Sequence, residues 1–425
     1  MRLLCSCTFF IRLCCLFMGG TIQFAYGSTL PWQITDKHAF LPKGVYQGSF
    51  TMDQSLTYEC HPDAVIDAQG QGHALLINTS DITLTNCTVR NWGGNLTNMD
   101  SGIFIAEHAH RIQITQNDLQ GVGFGIWVDG AADITLLHNR IRGDRQTRSQ
   151  DRGNGIHLFS VSRSRVSHNH VSDTRDGIYI DVSNHNELSH NTFEDLRYGV
   201  HYMFSNNNTV SHNVTRRTRT GYALMQSRNL TVIGNTSDDD ENYGILMNYI
   251  TYSELRHNRV QGVRSGSTGD TMITGAEGKA LFIYNSVFND IIENHFANSA
   301  LGIHLTAGSE RNRVSGNNFI NNQQQVKYVA TRTQEWSLDG RGNFWSDYLG
   351  WDRNADGIGD IFYEPNDNMD RLLWLYPQMR LLMHSPAIEL LRWIQQAFPV
   401  VKSPGVRDSY PLMRPTTIPT QEATL

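Results

Sequence analysis

The chain has 425 residues, with 35 basic and 41 acidic side chains, a formal net charge of −6 and 17 histidines. Its only basic runs, Arg140 to Arg152 and Arg216 to Arg219, fall at turns between short strands. Without a clustered basic face, nucleic-acid binding is excluded.

The first 27 residues read as a secretory signal. Arg2 precedes an apolar stretch from Leu3 to Met18, and Ala25 and Gly27 stand at the −3 and −1 positions of a cut before Ser28. The stretch is short and no comparable run follows, which argues against a membrane anchor. Cys5, Cys7, Cys14 and Cys15 leave with this peptide, so Cys60 and Cys87 remain. In an oxidising compartment that pair either bridges or packs as two small hydrophobes, with a thiolate metal site as a third use. Loss of Arg2 and Arg12 leaves 33 basic against 41 acidic residues, a net charge of −8. Residues 28–70 are assigned to an N-terminal cap.

From 71 to 328 the chain repeats. Asparagines in the phrase apolar-x-x-Asn fall at 86, 117, 139, 169, 191, 213, 235, 258, 294 and 317. Most spacings are 22 or 23 residues, and the others are that period plus a loop. A glycine-apolar step follows, as in Gly125-Ile126, Gly177-Ile178, Gly199-Val200 and Gly244-Ile245. Around each asparagine the text alternates with period two, as in Ile112-Gln113-Ile114, so the unit consists of short strands. One such unit cannot bury its apolar face alone, whereas coils stacked at about 4.8 Å share one core. Asparagine at one recurrent position suits an amide ladder along the stack. The expected fold is all-β: a right-handed parallel β-helix solenoid of about ten coils, roughly 50 Å long.

Alternation places the second and fourth residues after each glycine outward. These are His157 and Phe159, Tyr179 and Asp181, His201 and Met203, Ala223 and Met225. Imidazole beside thioether suits Cu(I), a soft ion, so His157, His201, Met203 and Met225 are copper candidates; packing under a loop is the competing use. Five histidines (His138, His168, His190, His212, His257) directly precede a ladder asparagine, and the 22-residue spacing stacks His168, His190 and His212 one above another. That row could hold a transition metal, but ring stacking alone accounts for it, since equivalent repeats repeat their residues. Catalytic carboxylate pairs are missing from the repeat: only His61-Pro62-Asp63 echoes an epimerase motif, and Asp238-Asp239-Asp240 reads as a solvated turn. No catalytic residue is therefore assigned.

Residues 329–385 read as a C-terminal cap. Asp352, Asn354, Asp356 and Asp360 have the alternating oxygen spacing of a Ca²⁺ loop, with Gly357 after the third ligand. Position twelve is Tyr363, so a turn closed by its own side chains is the alternative. Met379, Met383 and His384 are the next copper candidates. In the tail, 386–425, Ser385-Pro386 opens a helix whose stripe of Ala387, Leu390, Leu391, Ile394 and Phe398, with Trp393 beside it, runs to Pro399. Leu390, Leu391, Trp393, Ile394 and Phe398 are the partner-docking candidates.

The asparagine-glycine coils and the closing text GNFWSDYLGWDRNADGIGDIFYEPNDNMDRLLWLYP, followed by Leu381-Leu382-Met383-His384-Ser385-Pro386, resemble the NosD family of periplasmic nitrous oxide reductase maturation proteins. The likeness spans essentially the whole mature chain. It implies a Gram-negative denitrifier, a periplasmic location and a non-enzymatic scaffold that handles copper in transit. It further implies work beside an ABC transporter permease and its ATPase, a copper-chaperone lipoprotein, and nitrous oxide reductase as client, with membrane association only through these partners. It transfers no ligand motif. On this reading the segment from about Pro386 to Met413 binds the permease on its periplasmic side. The alternative is a polysaccharide-binding or uronate-modifying β-helix enzyme, which turnover of an acidic polysaccharide would reveal.

Overall fold

The structure is a computed structural model that describes residues 22–23, 30–265, 278–306, 308–329, 332–366, 385–387, 390, 393 and 405–419. Most of residues 1–27, read above as a secretory signal, lie outside the described residues, as do Met379, Met383, His384, Leu391, Ile394 and Phe398.

The chain winds as a right-handed parallel β-helix. Among the described residues its strands form three sheets of 14, 12 and 13 strands. Apart from the antiparallel pair Gln33–Thr35 and His38–Leu41 that opens the 13-stranded sheet, the pairing is parallel and the strand order advances by three, so every coil adds one strand to each sheet. In a regular coil a six-residue strand such as Asp176–Asp181 is followed by two three-residue strands, Glu187–Ser189 and Thr192–Glu194. The long strands make the 12-stranded sheet. In-register pairing stacks like on like: Leu188 opposes Val210, which opposes Val232, and all three are fully buried. Each such side chain contributes about 1.5–3 kcal/mol of burial. The recurrent glycine has a steric cause. A Cβ on Gly177 would lie 2.3 Å from Phe193 Cδ1 and 2.4 Å from the Gly199 carbonyl oxygen.

An asparagine ladder runs through Asn117, Asn139, Asn169, Asn191, Asn213, Asn235, Asn258, Asn294, Asn317 and Asn343. From Asn117 to Asn317, each backbone N–H donates to the amide oxygen of the next coil's asparagine at 2.9–3.1 Å. The side-chain NH₂ groups donate along the same row and to a carbonyl of the preceding coil, as Asn213 does to Leu188 at 2.9 Å. A shorter row, Ser164–Asn186–Asn208, does the same at another corner.

Two expectations are corrected at the N-terminal end. The solenoid begins within the segment assigned to the cap: His38–Leu41, Gly44–Gln47 and Phe50–Met52 already pair in parallel with the next coil, so the 12-stranded sheet alone counts 12 coils among the described residues rather than about ten. These coils lack a ladder asparagine, so the repeat signal is silent there. Asn86 is not a ladder member. It occupies a left-handed turn at φ 60°, and the following Cys87 takes the inward place, donating its N–H to Asn117. Cys87 is joined to Cys60 on the adjacent coil by a disulfide with a Cα–Cα distance of 4.9 Å.

Where the spacing exceeds one period, the extra residues all leave at one corner, between a strand of the 14-stranded sheet and the next long strand. The three insertions lie between Arg90 and Ser101, Arg142 and Ile156, and Gln261 and Lys279. Arg145 in the second insertion clasps Asp173 at 2.6 Å and Asp195 at 3.1 Å, anchoring the loop to two successive coils.

The far end is closed by residues distant in sequence. Val406–Arg407 pairs with Gln334–Glu335, and Leu412 and Met413 donate N–H groups to Asn343 and Gly357 at 2.9 and 3.0 Å. Buried Asp408 accepts from the Asn343 backbone at 2.7 Å and from Trp345 Nε1 at 2.8 Å. Residues 405–419, assigned to the tail, thus pack as part of the cap.

Candidate metal-binding face

The outer face of the long-strand sheet carries the copper candidates. Trp127, His157, Tyr179, His201 and Ala223 pair in register across five adjacent strands and form one outward column. Asp129, Phe159, Asp181 and Met203 form a second column two residues further on.

The candidates divide. His157 is nearly buried between Trp127, at a ring-centroid distance of 3.8 Å, and Tyr179, at 4.7 Å, and Asn154 Nδ2 lies 3.1 Å from its Nδ1. Burial pushes its pKa down to about 3. Tyr179 separates it from His201, so the two imidazoles cannot share one ion. His201 and Met203 instead lie side by side on the strand Tyr198–Met203. Met225 ends the neighbouring strand Thr220–Met225, one residue past the in-register pair Tyr202–Leu224, as Met203 is. Both methionines are half-buried.

What holds His201 is a group the sequence reading did not single out. Asp176, fully buried at the start of its strand, lies 3.0 Å from His201 Nδ1. It accepts a fork from Arg197, Nε at 2.8 Å and Nη2 at 2.6 Å. Burial alone would raise the Asp176 carboxyl, but the hydrogen bonds from His201 and Arg197 outweigh it and hold the carboxyl below its ordinary range. With Nδ1 engaged, His201 presents Nε2, the arrangement in which a carboxylate orients a metal-ligating imidazole. Asp181, in register with Met203, has a buried Oδ1 without a hydrogen-bond partner, and burial raises its pKa. One imidazole, two thioethers and an orphaned carboxylate oxygen on adjacent positions fit a soft cation better than a hard one. The available signal was departure from the repeat. The residue before the coil glycine is Asp only at Asp176; other coils range from Ser101, Phe124 and Asn154 to Thr220, Tyr243 and Leu301.

The Asp/Asn loop is turned on itself. Asp352 Oδ2 accepts the Gly357 N–H at 2.8 Å, Asp356 Oδ1 that of Ile358 at 2.8 Å, and Asp360 Oδ2 that of Arg353 at 2.8 Å. Asn354 Nδ2 donates to Asp356 Oδ2 at 2.9 Å. Among the described residues, no three His, Cys, Asp or Glu side chains gather as a metal cage. In the tail, Leu390 and Trp393 are helical and exposed, at 56% and 62%. Asp240 overturns the solvated reading of its acidic run: it is buried, bonded to Thr215, Thr218 and Ser237, and pushed by burial to about 6.

These features define an asparagine-laddered parallel β-helix with one outward soft-donor cluster and a cap closed by a returning C-terminal segment. The chain belongs to the NosD family: the family model described as "Periplasmic copper-binding protein (NosD)" matches residues 137–350. A relative from Stutzerimonas stutzeri, named a probable ABC transporter binding protein NosD, is 64% identical over 96% of this chain and 94% of its own length. One of the same name from Pseudomonas aeruginosa PAO1 is 67% identical over 88% and 87%. Among solved structures, the Streptococcus pneumoniae adhesin PfbA is similar at TM-score 0.54 and 11% identity, covering 69% of this chain and 92% of that one. A PL6 alginate lyase is similar at TM-score 0.52 and 12% identity, covering 72% and 77%. At such identities the likeness concerns the fold alone.

Proposed function

We propose that this chain is an exported, non-catalytic accessory protein that holds copper in transit for the copper-sulfide centre of nitrous oxide reductase, beside an ABC transporter and a copper-chaperone lipoprotein. The observation that carries the copper part is the cluster of His201, Met203 and Met225, with His201 oriented by buried Asp176. Copper is cargo here. The face presents Nε2 and two thioethers to it, Asp181 supplies a negative charge nearby, and Asp176 keeps the imidazole from turning away. Half-buried thioethers on a rigid sheet allow capture without enclosing the ion, as transfer to a second protein requires. Kinship with proteins named as transporter-binding supports the partner assignment.

The test is competition for Cu(I) against a chromophoric chelator. Changing His201→Ala with Met203→Leu should weaken binding at least tenfold while circular dichroism stays β-rich. Asp176→Asn should weaken it by roughly 10–100-fold through loss of the orienting carboxylate. Unchanged affinity in both would remove the site from this face. Docking is tested separately by deleting residues 386–400 while keeping 405–419, which pack in the cap. The shortened chain should stay folded yet no longer co-purify with the permease. A second reading rests on the same Asp176–His201–Arg197 group, which could serve an acidic polysaccharide; turnover of a uronate polymer would favour it.

A further inference from the structure

On the opposite side of each coil, the residue before the ladder asparagine forms its own column. It holds His138, His168, His190 and His212 on four consecutive coils, all at φ 56–57°. The fold does not demand histidine there: Asn86, Gln116, Gly234, Glu293 and Gly316 adopt the same turn in other coils. The rings of His168 and His190 are parallel within 1° at 4.8 Å, and those of His190 and His212 within 10° at 5.0 Å. His138 is tilted 39° from His168, and His257 is engaged by Glu293 at 3.0 Å.

We infer that His168, His190 and His212 form a chelating strip for a divalent transition ion, Cu(II) foremost, bound between neighbouring imidazoles. The ring nitrogens of His190 and His212 make no hydrogen bond to any described residue, and Ser167 Oγ lies 2.7 Å from His168 Nδ1, leaving Nε2. Imidazole suits ions of borderline softness, and Cu(II) binds most tightly among the first-row divalent ions. Burial and mutual repulsion lower the pKa of His168 and His190, which keeps them neutral and able to coordinate near pH 7. Stacked rings aim their lone pairs side by side, so coordination at about 2.0–2.1 Å needs two rings to swing towards each other. His168 and His190 are exposed, His212 is partly so, and all three stand one strand spacing apart, which permits that rotation. The strip differs from the His201–Met203 face in position, donor set and preferred oxidation state, and does not depend on it.

The experiment uses the untagged mature chain, titrated with Cu(II) supplied as its glycine complex and followed by electron paramagnetic resonance. A signal with nitrogen couplings from two imidazoles is expected. His190 belongs to both pairs, so His190→Asn should weaken binding at least tenfold; asparagine tolerates the left-handed turn, and Asn86 already occupies it in another coil. His257→Asn and the pair His201→Ala with Met203→Leu should leave the signal and affinity unchanged. Wild-type Cu(II) binding by His190→Asn, or by a chain with Asn at 168, 190 and 212, would overturn the inference. So would loss of the signal in the His201/Met203 variant.

Discussion

The regular coils and the C-terminal cap solve one problem, the hydrogen bonding of buried backbone, in opposite ways. In the coils the task is shared, with each ladder asparagine serving its neighbours by the same few bonds. In the cap it falls on one carboxylate. Asp408 accepts from the Asn343 backbone and side chain, from Trp345 and from the Tyr410 backbone at 2.7–3.3 Å. Burial lifts its pKa to about 6. Repetition makes any single ladder member one of many, whereas the end of the rod has a single point of failure.

That contrast predicts a ranking. Asp408→Ala should be the most damaging change, lowering unfolding free energy by about 3 kcal/mol or more, because several buried donors lose their acceptor at once. Limited proteolysis should then cut first near the last coil. Asn213→Ala should cost about 2–3 kcal/mol, since it strands the buried Asn191 N–H groups and the Leu188 carbonyl. Pairing it with an alanine at Asn235 should give a non-additive loss, while pairing with Asn294, further along the ladder, should add. An Asn213→Ala loss exceeding that of Asp408→Ala in denaturant titrations would invert the comparison.

Acid should expose the coils. Burial pushes His157 and His304 down to about 3. Because the folded pKa is below the unfolded value of about 6.5, their contribution is present above 6.5 and fades as pH falls towards 3. Between pH 7 and 5 each should cost about 2 kcal/mol of stability. Asp408 works with the opposite sign: its folded pKa of about 6 exceeds the unfolded value, so acidification over the same window favours the fold. Stability against pH should therefore flatten in His157→Phe and steepen in Asp408→Asn. The smallest effect belongs to Arg111→Ala. This exposed arginine pairs with Asp81 at 2.7 Å, and its loss should not move the melting temperature beyond experimental error.

Much of the solenoid was legible because repetition writes the same physical demand many times. The 22-residue period, the glycine where Phe193 and the next coil's carbonyl leave no space for a Cβ, and the outward alternation of His201 and Met203 all follow from pattern. Elements used once were harder to read. The first coils carry no ladder asparagine. The Asn186–Asn208 row is broken by serine, and Asp240 stands in an acidic run that looks solvated until its hydroxyl partners are placed. Asp176 and Arg197 come together only because strands one coil apart align. Asp408 and Asn343 lie 65 residues apart, beyond any local signal.

The placement of the insertions bears on how such a chain can change. All three lengthen the coil at the same corner, beside the long-strand sheet, and leave the ladder in step on either side. Loops can lengthen, shorten or be exchanged there without shifting the register of a single strand. The corner flanks the face that carries His201, so a lineage could retune which protein meets that face by editing loops while the rod itself stays unaltered.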